Sequence, residues 1–125
     1  KSAERYVVAA PMWSLLFPGR LKNYLDVIIQ NGKTIEITPD CVKGLLDDKE
    51  RRMVYVQSSG GKYSNILMSR LDYGTDYLDV IMKFMGIKKF INLPVEGCGN
   101  NSEGIAGSLM NATDEVDDII EQFLD

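Results

Sequence analysis

Side chains able to do covalent or acid–base chemistry are sparse in this 125-residue chain. It has no histidine, and its two cysteines, Cys41 and Cys98, lie far apart without metal-ligand spacing. Ser–His and Cys–His nucleophiles and the usual zinc sites are thereby excluded. Chemistry must come from a bound cofactor, from carboxylates, or from tyrosine and lysine. What the chain offers is three short stretches, Pro11-Met12-Trp13-Ser14-Leu15, Ser58-Ser59-Gly60-Gly61-Lys62-Tyr63 and Glu96-Gly97-Cys98-Gly99. Together they pair large apolar groups with bare glycine backbone. A flat heteroaromatic ring needs both: faces to stack on, and main-chain N–H groups that can reach ring nitrogens and oxygens. None of the three is a Walker-type phosphate loop and no G-x-G-x-x-G occurs, so the phosphate of such a ligand would be held elsewhere.

Each stretch follows an apolar run that reads as a strand. Tyr6–Ala10 is continuous and apolar, the pattern of a strand buried on both faces. Met53–Gln57 and Phe90–Val95 are the second and third such runs. Between them lie helical faces. Pro18 can open a helix whose apolar side is Leu21, Tyr24, Leu25, Ile28 and Ile29, with Gly32 as its C-terminal stop. Tyr77, Leu78, Ile81, Met82 and Met85 form another face, closed by Gly86. A last helix carries Ile105, Leu109, Ala112, Val116, Ile119, Ile120 and Phe123 inward, after a polar loop at Gly99–Ser102. Thr34–Thr38 alternates with period two, as a half-exposed strand does, and Gly44-Leu45-Leu46 tucks back onto the core. Strand and helix alternate three times with connections long enough for crossovers, which predicts a parallel sheet covered on both sides. In such sheets ligands bind beyond the carboxyl ends of the strands, where all three stretches fall.

Length suits one domain over 1–125. A 45% apolar and 26% charged composition is ordinary for a globular protein, and a net charge of −4 argues against a nucleic-acid surface. The local basic cluster Lys49, Arg51, Arg52 is interrupted by Glu50 and reads as a solvated turn. No apolar run approaches the roughly 20 residues of a membrane span. Free thiols and a mildly acidic surface suit the cytoplasm.

The segment Ala10-Pro11-Met12-Trp13-Ser14-Leu15-Leu16-Phe17-Pro18, followed by Leu21-Lys22-Asn23-Tyr24-Leu25-Asp26, resembles the FMN-dependent NADH:quinone oxidoreductases, also called azoreductases. Lys33-Thr34, Gly44-Leu45-Leu46, Ser58–Gly61, Met85-Gly86-Ile87 and Glu96-Gly97 recur in that family's order. The resemblance covers the whole chain. It implies a flavodoxin-like three-layer α/β fold with a parallel sheet, here without the first two strands, their helices and the serine-rich FMN phosphate loop. The chain would then be the C-terminal portion of such a flavoprotein.

Residue by residue, the resemblance assigns Pro11, Met12, Trp13, Ser14 and Leu15 to a loop around the isoalloxazine ring of FMN. It assigns Ser58, Ser59, Gly60 and Gly61 to a second loop at the pyrimidine end, and Trp13 and Tyr63 to the substrate wall. Ser14 departs from a usual Asn, Leu15 from a usual Phe, and Ser59 from a frequent Arg. The implied reaction moves hydride from NAD(P)H through flavin to a quinone or azo compound, with no side chain of this chain as a catalytic group. The implied assembly is a cytoplasmic homodimer with neither nucleic acid nor membrane as partner. Alone, this polypeptide is expected to be inactive and to bind FMN weakly or not at all, with Tyr6–Ala10 an exposed sheet edge. The alternatives are a flavodoxin-like electron carrier and a non-catalytic α/β fragment without flavin.

Overall fold

A computed structural model shows how these runs assemble; it describes residues 1–99 and 104–125, so the expected loop at Gly99–Ser102 lies largely outside the described residues. The three apolar runs become strands β1 (Arg5–Pro11), β4 (Arg52–Ser58) and β5 (Lys89–Val95). They form one parallel sheet in the order β1-β4-β5. Helices α1 (Gly19–Ile28) and α2 (Tyr73–Met85) provide the crossovers on one side, and α3 (Gly104–Asp114) and α4 (Val116–Leu124) follow β5 on the other. Short strands β2 (Ile35–Ile37) and β3 (Val42–Gly44) pair antiparallel between α1 and β4. The parallel sheet, its covering on both faces and the edge position of β1 are as the sequence predicts.

The main core lies on the α1–α2 face. Met53 and Tyr55 of β4 pack there with Leu25, Leu78, Met82 and Met85, all nearly free of solvent contact. Burying each such side chain contributes about 1.5–3 kcal/mol. The opposite face is thinner: Val54, Leu93, Val95 and Ala112 are buried beneath Val116, Ile119 and Phe123. The last helix is divided at Glu115 into α3 and α4 rather than running unbroken. α3 packs on β5 and α4 on β4 and β5, and the side of β1 that carries Val7 and Ala9 stays exposed. So β1 is not buried on both faces: Tyr6, Val8 and Ala10 pack inward, whereas Val7, Ala9 and Pro11 are exposed.

Helix ends follow local chemistry. Gly86 takes the left-handed conformation that ends α2. Gly44 lets β3 approach this turn, because a β-carbon there would sit 2.4 Å from the Gly86 nitrogen. The Leu46 amide then donates to the Met85 carbonyl (2.9 Å), which realises the predicted return of Gly44–Leu46 to the core. Gly32 is not the stop of α1. The helix ends at Ile28, whose carbonyl accepts from the Thr34 hydroxyl (2.7 Å), and Gly32 (φ +78°) serves the following turn.

Arg51 and Arg52 correct the solvated-turn reading, being 2% and 4% exposed. Their guanidinium donors are matched by backbone carbonyls and carboxylates, as burial requires. Arg51 donates to the carbonyls of Leu46 (2.7 Å), Ala3 (3.2 Å) and Lys1 (2.8 Å) and to the Asp48 carboxylate, which ties the N-terminal segment down. Arg52 donates to the Gln122 carbonyl at the end of α4 and to Glu50, which also receives Lys89 (2.8 Å).

A second polar chain fixes the start of α2. The Tyr55 hydroxyl donates to Gln57 Oε1 (2.9 Å), and Gln57 Nε2 donates to Asp72 Oδ1 (2.9 Å). Asp72 in turn caps the helix by accepting from the Thr75 amide (3.2 Å) and hydroxyl (2.8 Å). Burial, then the Asp72 charge, pushes the Tyr55 phenol's pKa upward, so it remains a neutral donor.

Two measurements check this framework. Asp72→Ala removes a cap and orphans Gln57 Nε2, and should cost about 1–2 kcal/mol in urea unfolding; an unchanged midpoint would show that the brace does not contribute. Lys89, then Arg52, lowers the Glu50 pKa from its ordinary 4.5 to about 2. The stability this brings is complete above pH 4.5 and is lost as pH falls toward 2. Glu50→Gln should therefore flatten the acid arm of the stability–pH curve in that window, and a curve identical to wild type would contradict the assignment.

Candidate active site at the strand ends

Register brings the three sequence stretches together. Pro11 pairs with Ser58 and Ser58 with Val95, so all three strands finish at one level. Past that level the chain stays paired: the Met12 amide donates to the Ser58 carbonyl (2.7 Å) and the Ser59 amide to the Val95 carbonyl (3.0 Å).

The first loop then makes a two-residue hairpin. Trp13 and Leu16 exchange both backbone bonds (2.7 and 3.0 Å), and Ser14 (φ +50°) and Leu15 (φ +66°) sit between them in left-handed conformation. Positive φ at both central positions is the mark of a type I′ turn, normally built from Asn and Gly. For Ser and Leu it costs roughly 1–2 kcal/mol each. Such strain concentrates at functional sites. Among the described residues, no protein acceptor meets the Ser14 and Leu15 amides.

The second loop is braced from behind by the third. Gly97, Cys98 and Gly99 donate their amides to the carbonyls of Gly61 (3.0 Å), Ser59 (3.0 Å) and Gly60 (3.2 Å). Ser59, 5% exposed, spends its hydroxyl on the Gly61 carbonyl (2.8 Å). The amides of Gly60 and Gly61 are left without a protein acceptor among the described residues. A β-carbon at Gly60 would meet nothing within 4 Å, so its backbone is open to approach; one at Gly61 would sit 3.2 Å from the Tyr63 ring.

Pro11, Met12, Ser58, Ser59 and Gly60 thus share one cavity of about 320 Å³ on the α3 side of the sheet end. Ser14 and Leu15 instead open onto a separate groove against Tyr73, Asp76, Tyr77 and Val80 of α2. Gly61, Trp13 and Tyr63 lie outside the walls of both. Trp13 is 64% exposed, which rules out a core role and leaves an indole face available at the rim. The cavity has further walls: Cys98 of the third stretch, and Val95, Ile105 and Leu109, which lie outside the three stretches. Ile105 and Leu109 were expected to point into the core, but they are 63% and 53% exposed and face this opening. Their i, i+4 spacing at the start of a helix that follows a strand end was the available signal. Glu96, which opens the third stretch, turns its carboxylate to the second loop and accepts from the Tyr63 amide and the Ser64 hydroxyl.

The sheet end thus offers a planar heteroaromatic group an apolar cavity bordered by Gly60, with the uncommitted Ser14 and Leu15 amides on the neighbouring groove. A larger cleft of about 710 Å³ along β1 and α1 lies away from the strand ends and from these amides. No group of three or more His, Cys, Asp or Glu placed to hold a metal occurs among the described residues.

A family model described as "Flavodoxin-like fold" matches residues 1–119. The FMN-dependent NADH:quinone oxidoreductase 1 of Clostridium acetobutylicum is 49% identical over 122 residues, which are 98% of this chain and 55% of that protein. An FMN-dependent NADH:quinone oxidoreductase of Clostridium botulinum is 45% identical over 122 residues, 97% of this chain and 57% of that protein. The crystal structure of an FMN-dependent NADH-azoreductase from Bacillus anthracis in complex with FMN superposes with a TM-score of 0.88 at 30% identity, covering 99% of this chain and 58% of that one. The chain spans about half the length of the curated relatives it matches.

Asn tolerates left-handed backbone better than Ser, through its own local hydrogen bonds. Ser14→Asn should therefore raise stability by up to about 1 kcal/mol, seen as a higher urea midpoint at unchanged slope. A lower midpoint would show that this turn is not left-handed in solution.

Proposed function

The chain belongs to the flavodoxin-like-fold family, and on that premise we propose that it is part of an FMN-dependent oxidoreductase passing hydride from NAD(P)H to a quinone or azo compound. One observation carries the reading: Ser14–Leu15 and Gly60–Gly61 present two pairs of unpaired amides at the carboxyl edge of a parallel sheet, where Gly60 borders an apolar cavity and Ser14 and Leu15 border a groove against α2. The relatives' names and the FMN in the B. anthracis structure support the cofactor.

Bound FMN would supply the acceptance and release of hydride; the protein supplies position and electrostatics. The Met12 and Trp13 amides are already committed to Ser58 and Leu16, so the Ser14 and Leu15 amides are those free to stabilise negative charge at one margin of a bound ring. The Gly60 and Gly61 amides do so at the other. Both sets are fixed by backbone pairing before any ligand arrives, so little reorganisation is needed as charge develops. Pro11, Met12, Ile105 and Leu109 exclude water from the cavity side, and Trp13 with Tyr63 offers aromatic faces for nicotinamide or acceptor.

We also propose a homodimer in the cytoplasm. Tyr24 and Val27 of α1 and Tyr73, Val80 and Phe84 of α2 leave apolar surface exposed, which subunit contacts commonly cover. Both cysteines are unpaired, and among the described residues no helix is long and apolar enough to cross a membrane.

Leu15→Asp tests the placement in the full-length protein. It sets a carboxylate in the groove that already holds Asp76. The expected result is a rise in FMN Kd of about tenfold or more, with flavin lost on purification. Wild-type-like flavin content would refute the site. Absence of NADH:quinone turnover in the flavin-loaded wild type would refute the activity.

A further inference from the structure

Glu96 follows directly on β5 and makes two bonds across more than thirty residues of sequence. Its Oε1 accepts from the Tyr63 amide (2.8 Å) and its Oε2 from the Ser64 hydroxyl (2.7 Å). Hydrogen bonds to an ionised acceptor are roughly twice as strong as neutral ones. The flanking backbone is already zipped, with Ser59, Gly60 and Gly61 each accepting from residues 97–99. Glu96 extends that zipper outward by two residues. Beyond Ser64 the loop leaves the protein surface: Ile66 is 92% and Leu67 83% exposed. Glu96 is therefore the anchor at the point where the loop departs. The Tyr63 amide is held by this carboxylate, and its ring lies over Gly61, where a β-carbon would be 3.2 Å from Cε2.

We infer that Glu96 is a positioning residue: it sets the orientation of Tyr63, and through it the wall against which the electron donor and acceptor rest. This deepens the proposed function and rests on it for the role of Tyr63. The carboxylate spends both oxygens on Tyr63 and Ser64. Its effect should fall on how substrates are held, with flavin binding unaffected, because the Gly60 and Gly61 amides are fixed by the separate backbone ladder.

Three variants of the full-length protein test this. Glu96→Ala leaves the Tyr63 amide without its acceptor. Glu96→Gln keeps a carbonyl for that amide and offers its NH2 to the Ser64 hydroxyl, which can accept, so it should rescue. Ser64→Ala removes one of the two bonds and should give an intermediate effect, and it decides the matter if the alanine variant at 96 does not fold. One readout is hydrogen exchange at the Tyr63 amide: about tenfold faster or more in Glu96→Ala, near wild type in Glu96→Gln. The second is a KM-against-kcat split in the flavin-loaded protein, with KM for the quinone up about tenfold, kcat changed much less, flavin content unchanged, and recovery in Glu96→Gln. Unchanged exchange in Glu96→Ala would overturn the clamp. Faster exchange with wild-type KM would overturn the positioning role. Loss of flavin together with KM would show a structural role instead. A wild type lacking both flavin and turnover would overturn the functional reading and the positioning role with it, while the exchange arm still judges the clamp.

Discussion

Everything at the candidate site depends on where three parallel strands stop. Pro11, Ser58 and Val95 share one register level, and the pairing runs one step beyond it through Met12 and Ser59. A parallel sheet points all its carboxyl ends in one direction, so loops far apart in sequence must meet there. Shifting β1 by one residue against β4 would invert its side chains, exposing Tyr6, Val8 and Ala10 and separating Met12 from the Ser58 carbonyl. The core on the α1–α2 face thus enforces the geometry of the site, because the face that buries Met53 and Tyr55 fixes the register that aligns the loops.

The site itself is mostly backbone. Side chains at the second loop are turned inward or absent: Ser59 braces Gly61, and Gly60 has none. The first loop reaches its conformation through two left-handed non-glycine residues, an arrangement held by reciprocal bonds between Trp13 and Leu16. Amides fixed in this way act as permanent partial positive charges, without a histidine or a metal. Around them the fold uses buried polar chemistry as scaffolding. Arg51 and Arg52 hold chain ends, Tyr55–Gln57–Asp72 holds the start of α2, and Glu96 holds the loop of Tyr63.

Much of this was legible in the sequence because apolar periodicity reports burial directly. The three strands, their parallel order, the face of α2 and its glycine stop could all be read from it. Charge patterning was less informative: Lys49–Arg52 looks solvated because sequence does not reveal which carbonyls will need donors, and burial of Arg51 and Arg52 follows from ends of chain that meet only in three dimensions. The exposed face of β1 was missed because an apolar strand reads the same whether or not anything covers Val7 and Ala9. Ile105 and Leu109 continue the apolar stripe of Ala112, Val116 and Phe123, so only position along the sheet separates cavity wall from core. That Pro11–Leu15 and Ser58–Gly61 meet at one sheet end was legible, but not the division between cavity and groove or the amides already spent.

The central claim is that the unpaired amides of Ser14, Leu15, Gly60 and Gly61 hold the edge of a flavin. An amide NMR titration of the full-length protein with FMN tests it most directly. These four amides should move and become protected from solvent exchange, while amides lining the cleft between β1 and α1 stay in place. Saturable binding that shifts the cleft amides and leaves these four unchanged would contradict the account.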